Sequence, residues 1–276
     1  MHESLEQKRA ALHAFFQRQA RVLVAYSGGV DSALVAWLAY QALGEQALAV
    51  TAVSPSLLPE DLDVAQAQAE WIGIRHELVY THELENPDYA SNPINRCYFC
   101  KQELHDTLKP LAQARGFAHV VDGVNADDLR DYRPGIQAGR ERGAQSPLAE
   151  LGLSKLEVRK LSRYLGLPWW DRPAQPCLSS RFPYGEAITV DKLHRVGRAE
   201  VYLRNLGWQP LRVRSIGDTA RIELPAGRLA EFVAQTDLPA LVAVFRSFGF
   251  TTVTLDLEGF RSGKLNQGLV QSHRFY

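Results

Sequence analysis

The sequence predicts an α/β protein. A first domain over residues 1–175 is built on a parallel sheet, and a smaller α+β domain follows over 176–276. Three observations carry that expectation. Short apolar runs alternate with helix-length segments through residue 122, the order of βαβ units. A glycine-rich turn follows the first apolar run, at the carboxyl end of a strand, where parallel sheets bind ligands. Residues 168–186 then gather four prolines, two tryptophans and the third cysteine, which marks a join between domains.

Taken in order, residues 4–19 read as an amphipathic helix, with Leu5, Leu12, Phe15 and Phe16 near one face. A strand at 22–26, a helix at 31–43 and a strand at 47–53 follow. Pro59-Glu60-Asp61 opens a helix over 59–71, because proline and acidic residues suit a first helical turn. His76 to Tyr80 reads as a strand and 82–95, with its Asn-Pro steps, as a loop. A helix from about Cys100 to Gly116 leads to a strand at 119–122, and the polar stretch 125–147 reads as an active-site loop. Ser154 with Glu157 forms a capping box that starts a helix to Leu165. The second domain is expected as helix 189–206, strands 211–215 and 220–224, helices 225–235 and 238–248, and strand 251–257.

Bulk properties narrow the class. A chain of 276 residues with 46% hydrophobic and 22% charged residues can bury a sizeable core in each of two domains. Formal net charge is zero, so no global field favours nucleic acid. No apolar run approaches the ~20 residues that span a bilayer. Residues 1–21 are charged and lack the apolar centre of a signal peptide, so a cytoplasmic location is expected. Three cysteines in such a compartment do not make a disulfide framework.

The turn itself is Ser27-Gly-Gly-Val-Asp-Ser32. Gly28 and Gly29 allow a sharp bend and a close backbone approach. Ser27, Ser32 and the N–H groups of a helix opening at about Asp31 offer donors to phosphate oxygens. It is not a Walker loop, because no Gly-Lys-Ser/Thr follows at the required spacing. The string resembles the SGGxDS signature of the PP-loop ATP pyrophosphatases. That resemblance implies cleavage of ATP to AMP and pyrophosphate, with adenylation of a second substrate. Two glycines alone would also suit a turn without a ligand; the whole string after an apolar strand is far more specific.

Cys97 and Cys100 form a C-x-x-C, and Cys177 lies in Pro-Cys-Leu-Ser-Ser-Arg181. Lys101 and Arg181 would lower the thiol pKa values if they are also close in space. A structural zinc site wants four ligands, so a histidine such as His105 would have to join the three thiols. Three thiolates with an open position suit an iron–sulfur cluster. Spacing alone leaves cluster, zinc site and unligated thiols open.

Further strings narrow the resemblance: Cys-Tyr-Phe-Cys-Lys101, Asp122-Gly-Val-Asn-Ala-Asp-Asp128, Pro-Cys-Leu-Ser-Ser-Arg181, Leu211-Arg-Val-Arg-Ser-Ile-Gly-Asp-Thr-Ala-Arg-Ile-Glu223 and Gly259-Phe-Arg-Ser-Gly-Lys-Leu-Asn266. Over essentially its full length the chain resembles the LarE family of ATP-dependent sulfur transferases, within the adenine nucleotide alpha hydrolase-like fold. The resemblance implies a pyridinium mononucleotide substrate with two carboxylates. Each is adenylated and converted to a thiocarboxylate, on the way to the nickel-pincer nucleotide cofactor. It implies ATP and Mg²⁺, with Ser27, Gly28, Gly29, Asp31, Ser32, Asn125, Asp127 and Asp128 at the nucleotide and Asp31 as a magnesium contact. It gives Cys177 the role of sulfur delivery. Three-cysteine members resemble carriers of a [4Fe-4S] cluster, here on Cys97, Cys100 and Cys177, whose extra sulfide is passed on. Single-cysteine members instead sacrifice that thiol and keep dehydroalanine.

Lys101, Arg181, Arg212, Arg214 and Arg261 become candidates for substrate phosphate or carboxylate. Arg212 and Arg214 alternate on a strand and share a face, which also fits a solvated surface. Glu200 and Glu231 are candidates for an acidic metal site, against the ordinary reading of solvated helix faces. The family suggests a homo-oligomer, a hexamer. Competing classes are a tRNA-thiolating enzyme, which would need a basic surface, an ammonia-using synthetase for GMP or NAD, which leaves the cysteines unexplained, and a non-enzymatic nucleotide or cluster sensor, which would bind ATP without releasing pyrophosphate.

Overall fold

The computed structural model describes residues 4–261. The chain divides into two compact units: residues up to 89 with 95–175, and the short stretch 90–94 with residues from 176 onward.

The first unit runs α1 (Leu5–Gln17), β1 (Val22–Ala25), α2 (Val30–Leu43), β2 (Ala47–Val53), α3 (Pro59–Ile72), β3 (Arg75–Tyr80), α4 (Pro87–Ala90), α5 (Arg96–Ala114), β4 (His119–Val121), α6 (Pro134–Glu141), α7 (Pro147–Glu150) and α8 (Lys155–Tyr164). The order across the sheet is β3-β2-β1-β4. Every pair is parallel, with Val22 opposite both Ala47 and His119. β1 and β2 are apolar on both faces, as strands covered by helices on both sides must be. Val22, Val24, Ala47 and Ala49 pack with Leu12, Phe16, Leu34, Val35, Val158 and Leu161 from α1, α2 and α8. Leu23, Leu48 and Val50, on the opposite face, meet Leu108 and Ala112 of α5. α2 is apolar almost all round because it is buried almost all round.

The strand order has a consequence for function. From β1 the chain proceeds outward through β2 to β3, then returns to place β4 on the other side of β1. A switch point therefore lies between β1 and β4, and ligands of open parallel sheets bind outside the carboxyl ends at that point. The glycine turn at 27–29 leaves β1 there, and the Asp122–Asp128 turn leaves β4 there.

Three expectations are corrected. Residues 82–95 are not all loop, since they hold a 3-10 turn at Glu83–Glu85 and α4. α5 starts at Arg96 rather than Cys100, with Asn95 as its N-cap, so both cysteines are helical. Residues 125–147 likewise contain α6, opened by Pro134, and lead into α7, opened by Pro147. In α4, α6 and α7 a first-turn proline starts the helix, and the polar composition hid it. Between α6 and α7, Gln145 bridges to Val121 and extends the sheet beside β4.

The second unit holds α9 (Val190–Asn205), β5 (Arg212–Ile216), β6 (Thr219–Glu223), α10 (Leu229–Gln235), α11 (Leu238–Ser247) and β7 (Thr252–Leu255). β5 and β6 form an antiparallel hairpin, and β7 pairs parallel to β6 after the two helices. Residues 262–266, the end of the last quoted string, lie outside the described residues.

The capping box at α8 forms as the sequence predicts, and Glu157 also receives Lys8 Nζ of α1 at 2.8 Å. Burial pushes the Glu157 carboxyl up, but the bonds from Lys8 and Ser154 outweigh it and bring the pKa down to about 2. A carboxyl depressed on folding adds stability above its unfolded value near ~4.3, and that stability is lost as pH falls through the folded value. Glu157→Gln should therefore be less stable than the parent at pH 7, by an amount that shrinks steadily below about pH 4. Urea unfolding across pH checks this; a gap independent of pH down to 2.5 would contradict it.

Candidate functional site

The turn after β1 is knitted before any ligand arrives. Gly28 sits at φ +69, and a Cβ on it would lie 2.9 Å from Ala65 Cβ, so neither the conformation nor the space admits a side chain. Ser32 Oγ accepts from Ser27 N at 3.2 Å and donates to Gly29 O at 3.1 Å, while Ser27 Oγ and Ser32 Oγ are 3.1 Å apart. Gly29 caps α2, whose first internal bond is Ala33 N to Gly29 O. The first-turn N–H groups ahead of it have no acceptor within the helix and carry the positive end of its dipole.

The turn after β4 comes against this one backbone to backbone. A Cβ on Gly123 would lie 2.6 Å from Ser32 N. Asn125 is buried there as a bracket. Its Nδ2 donates to Asp31 Oδ1 at 3.2 Å, and its Oδ1 accepts from the N–H groups of Asp127 and Asp128. Asp31 and Asp128 are thereby held near each other. Burial raises the Asp31 pKa, and the Asp128 charge raises it further. Two half-desolvated carboxylates that repel each other form a place where a cation is favoured. Arg133 partly balances Asp128 at 3.0 Å. Asp127 points elsewhere: its Oδ2 accepts from Lys155 N at 2.9 Å and caps α8. Asp122 is raised by burial, opposed first by the charge of Lys101, and accepts from Ser146 Oγ at 2.7 Å. That places Lys101 near the carboxyl end of β4.

Cys97 and Cys100 stand one turn apart at the start of α5, the first exposed and the second half-buried. A cleft of about 480 Å³ adjoins this turn, lined by Tyr98, Phe99, Tyr132, Arg133 and Gln137 among others. His105 is buried against Gly139 of α6, its Nε2 without a hydrogen-bond partner. Burial and then the Lys101 charge hold its pKa at about 4. Set into the α5–α6 contact, it is not the fourth ligand that a zinc site would require. Among the described residues no group of three or more His, Cys, Asp or Glu side chains is placed to hold a metal ion.

One residue of this unit gave no sequence signal. Arg172 Nη1 donates to Gly28 O at 3.0 Å, and its Nη2 donates to Asp61 Oδ1 at 2.7 Å. It lay in a proline-rich stretch with no motif around it.

In the second unit Cys177 is exposed and leads a 3-10 turn, Leu178–Arg181. Arg181 is wholly buried. Its Nε and Nη2 grip both oxygens of Glu200, and its Nη1 donates to the carbonyls of Pro176 and Cys177 and to Ser180 Oγ. The expectation of a phosphate contact is corrected, because this guanidinium is committed to building the Cys177 turn. Glu200 is no solvated face: it is buried and also accepts from Val213 N. Burial alone would raise its pKa, but the Arg181 charge and hydrogen bonds hold it below the usual range. Arg214 is tied to Glu223 and donates to Ser180 O at 2.7 Å. Arg212 lies over the Phe260 ring at 5.2 Å, with burial and then the Arg181 charge pulling its pKa down to about 10. An anion beside Arg212 would relieve that crowding of cations. Arg261 pairs with Glu258 and Glu231 with Arg228, all near the surface.

Among the described residues no helix is long and apolar enough to cross a membrane. The sequence profile of the NAD synthase family matches residues 10–91. The chain is 66% identical, over 97% of its length and 100% of the relative's, to the uncharacterized protein slr1717 of Synechocystis sp.. It is 40% identical to the pyridinium-3,5-bisthiocarboxylic acid mononucleotide synthase of Lactiplantibacillus plantarum, over 98% of this chain and 97% of that one. A more distant likeness, 28% over 53% of each chain, is to the NH(3)-dependent NAD(+) synthetase of Chlorobaculum tepidum.

Removing one partner of a buried ion pair strands the other charge. Arg181→Ala should cost about 3–5 kcal/mol in urea unfolding, whereas Arg181→Met combined with Glu200→Leu should recover most of it. An Arg181→Ala protein as stable as the parent would mean that the pair does not hold this turn.

Proposed function

The chain belongs to the LarE family, the family of pyridinium-3,5-bisthiocarboxylic acid mononucleotide synthase, as an ATP-dependent sulfurtransferase of the PP-loop class, and from that premise we propose how its residues divide the reaction. The substrate is a pyridinium mononucleotide with two carboxylates, and each becomes a thiocarboxylate in its own round of ATP use. The observation that carries this reading is the meeting of the glycine turn with the Asp122–Asp128 turn at the switch point of the sheet.

A carboxylate is a poor electrophile until its oxygen becomes a good leaving group. Its oxygen attacks the α-phosphorus of ATP, pyrophosphate departs, and an acyl-adenylate remains. Ser27, Gly29 and the first-turn N–H groups of α2 receive the departing pyrophosphate, where a helix N-terminus favours anions. Asp31 and Asp128 fit magnesium, which takes one or two carboxylates along with substrate phosphates. When bound it would neutralise charge on the leaving group. Lys101, beside Asp122, faces the substrate carboxylate and offsets its charge. Arg212 holds the phosphate of the mononucleotide, with Arg214 and Arg181 fixing the turn around it.

A sulfur nucleophile at the acyl carbon then releases AMP. Three accessible or half-accessible thiols match in number and kind the donors that a [4Fe-4S] cluster with one open iron would need. Cys97, Cys100 and Cys177 would hold it, and it would supply the sulfide while leaving the chain intact. The same reading includes a cytoplasmic enzyme assembled from several copies, six on the family's pattern.

Asp31→Asn should lower pyrophosphate release by about a hundred-fold or more; full retention would remove Asp31 from the reaction. Anaerobic purification should give about four irons and a protein mass unchanged by turnover. No iron, with loss of H₂S mass at Cys177, would replace the cluster by a sacrificial cysteine. Formation of AMP that depends on transfer RNA, with a steep salt dependence, would instead favour tRNA thiolation.

A further inference from the structure

The geometry points to Arg172 as a positioning residue for pyrophosphate, acting through the Gly28–Gly29 peptide. The inference rests on the ATP role given to the glycine turn and adds a residue to it.

A peptide unit is planar, with its C=O and N–H on opposite edges. Whatever fixes the carbonyl of Gly28 therefore fixes the direction of the Gly29 N–H. Arg172 Nη1 bonds that carbonyl at 3.0 Å. The Gly29 N–H is directed to the opposite side, toward Ser27 Oγ at 3.4 Å, beside the hydroxyls at the mouth of α2. Two glycines in sequence give this peptide more freedom to rotate than any other pair of residues would. A rotated peptide would aim a carbonyl oxygen at the pyrophosphate in place of a donor. Arg172 opposes that rotation.

The guanidinium is itself held in place. Its Nη2 pairs with Asp61 in the first turn of α3 at 2.7 Å, and Ala65 of the same helix closes on Gly28 one turn later. On the main chain, Arg172 O accepts from Arg159 Nη2 at 2.8 Å and Arg172 N donates to Trp169 O at 3.0 Å. Trp169 in turn lies edge-on to Trp71 of α3 at 5.1 Å. The α3 helix and the stretch after α8 thus form one wall behind the turn, with a single cation pressed against its carbonyl.

The test is isothermal titration of magnesium pyrophosphate and of AMP into the full chain, for the parent, Arg172→Ala and Arg172→Lys. Arg172→Ala should bind pyrophosphate about ten-fold more weakly, the scale of one charge-assisted hydrogen bond, while AMP affinity stays within about two-fold. Lysine keeps the charge and one donor and should restore pyrophosphate binding to within about three-fold of the parent. A merely structural prop would weaken both ligands alike, and that result overturns the inference, as does unchanged pyrophosphate binding in Arg172→Ala. A parent chain that binds neither ligand would remove the ATP reading and the inference with it. If Arg172→Ala does not fold, Asp61→Asn takes its place. It leaves Gly28 O bonded but loosens the guanidinium, and the same split between the two ligands is expected at about three-fold; no split overturns the proposal.

Discussion

Two backbones come closer in this protein than side chains would allow, and the candidate site exists because they do. The turn leaving β1 and the turn leaving β4 meet so tightly that Gly123 has no room for a Cβ beside Ser32 N. On its other side the β1 turn is pressed on α3, where Gly28 has no room beside Ala65. Polar backbone confined this way must satisfy itself locally. The Ser27–Ser32 bonds, the Asn125 bracket and the Arg172 contact all serve that need. Donors therefore stand ready for an anion at little cost of reorganisation, which is the arrangement that stabilises charge developing in a transition state.

The second unit meets a different constraint, the burial of charge. Arg181, Arg212 and Arg214 are each almost fully covered, and Glu200 and Glu223 are covered completely. Such a core is tolerable only because each carboxylate is paired and hydrogen-bonded. The cations do not share the task equally. Arg181 and Arg214 are committed to carboxylates and to the carbonyls of the Cys177 turn. Arg212 is left with a backbone carbonyl and an aromatic face, and with cations around it. A motif that reads in sequence as several equivalent basic residues resolves into two arginines tied to carboxylates and one that is not, by what each one touches.

Much of the fold was open to reading. β1, β2 and α2 are apolar on all sides because they are buried on all sides, so their runs stand out. The α8 capping box is a local device and forms as written. The elements that escaped, α4, α6 and α7, are short and polar, and their helical starts depend on single prolines. The start of α5 escaped for another reason: Asn95 precedes it without a side-chain cap, and the helical setting of the C-x-x-C was missed with it. Asp127 and Asp128 are neighbours of identical chemistry. One caps α8 while the other stays beside Asp31, and only the path of the turn separates them.

The sequence alone determined the class of protein, the nucleotide turn and the thiols, because those depend on residue type and local spacing. Tertiary structure decided which of the named residues are available to a ligand. Burial turned Arg181 and Glu200 inward, packing on α6 removed His105 as a ligand, and Arg172 reached the glycine turn from the far end of the unit. Availability depends on what lies on the other side of a side chain, and that neighbour lies outside any local pattern: 19 residues on for Arg181 and Glu200, and 144 for Arg172 and Gly28.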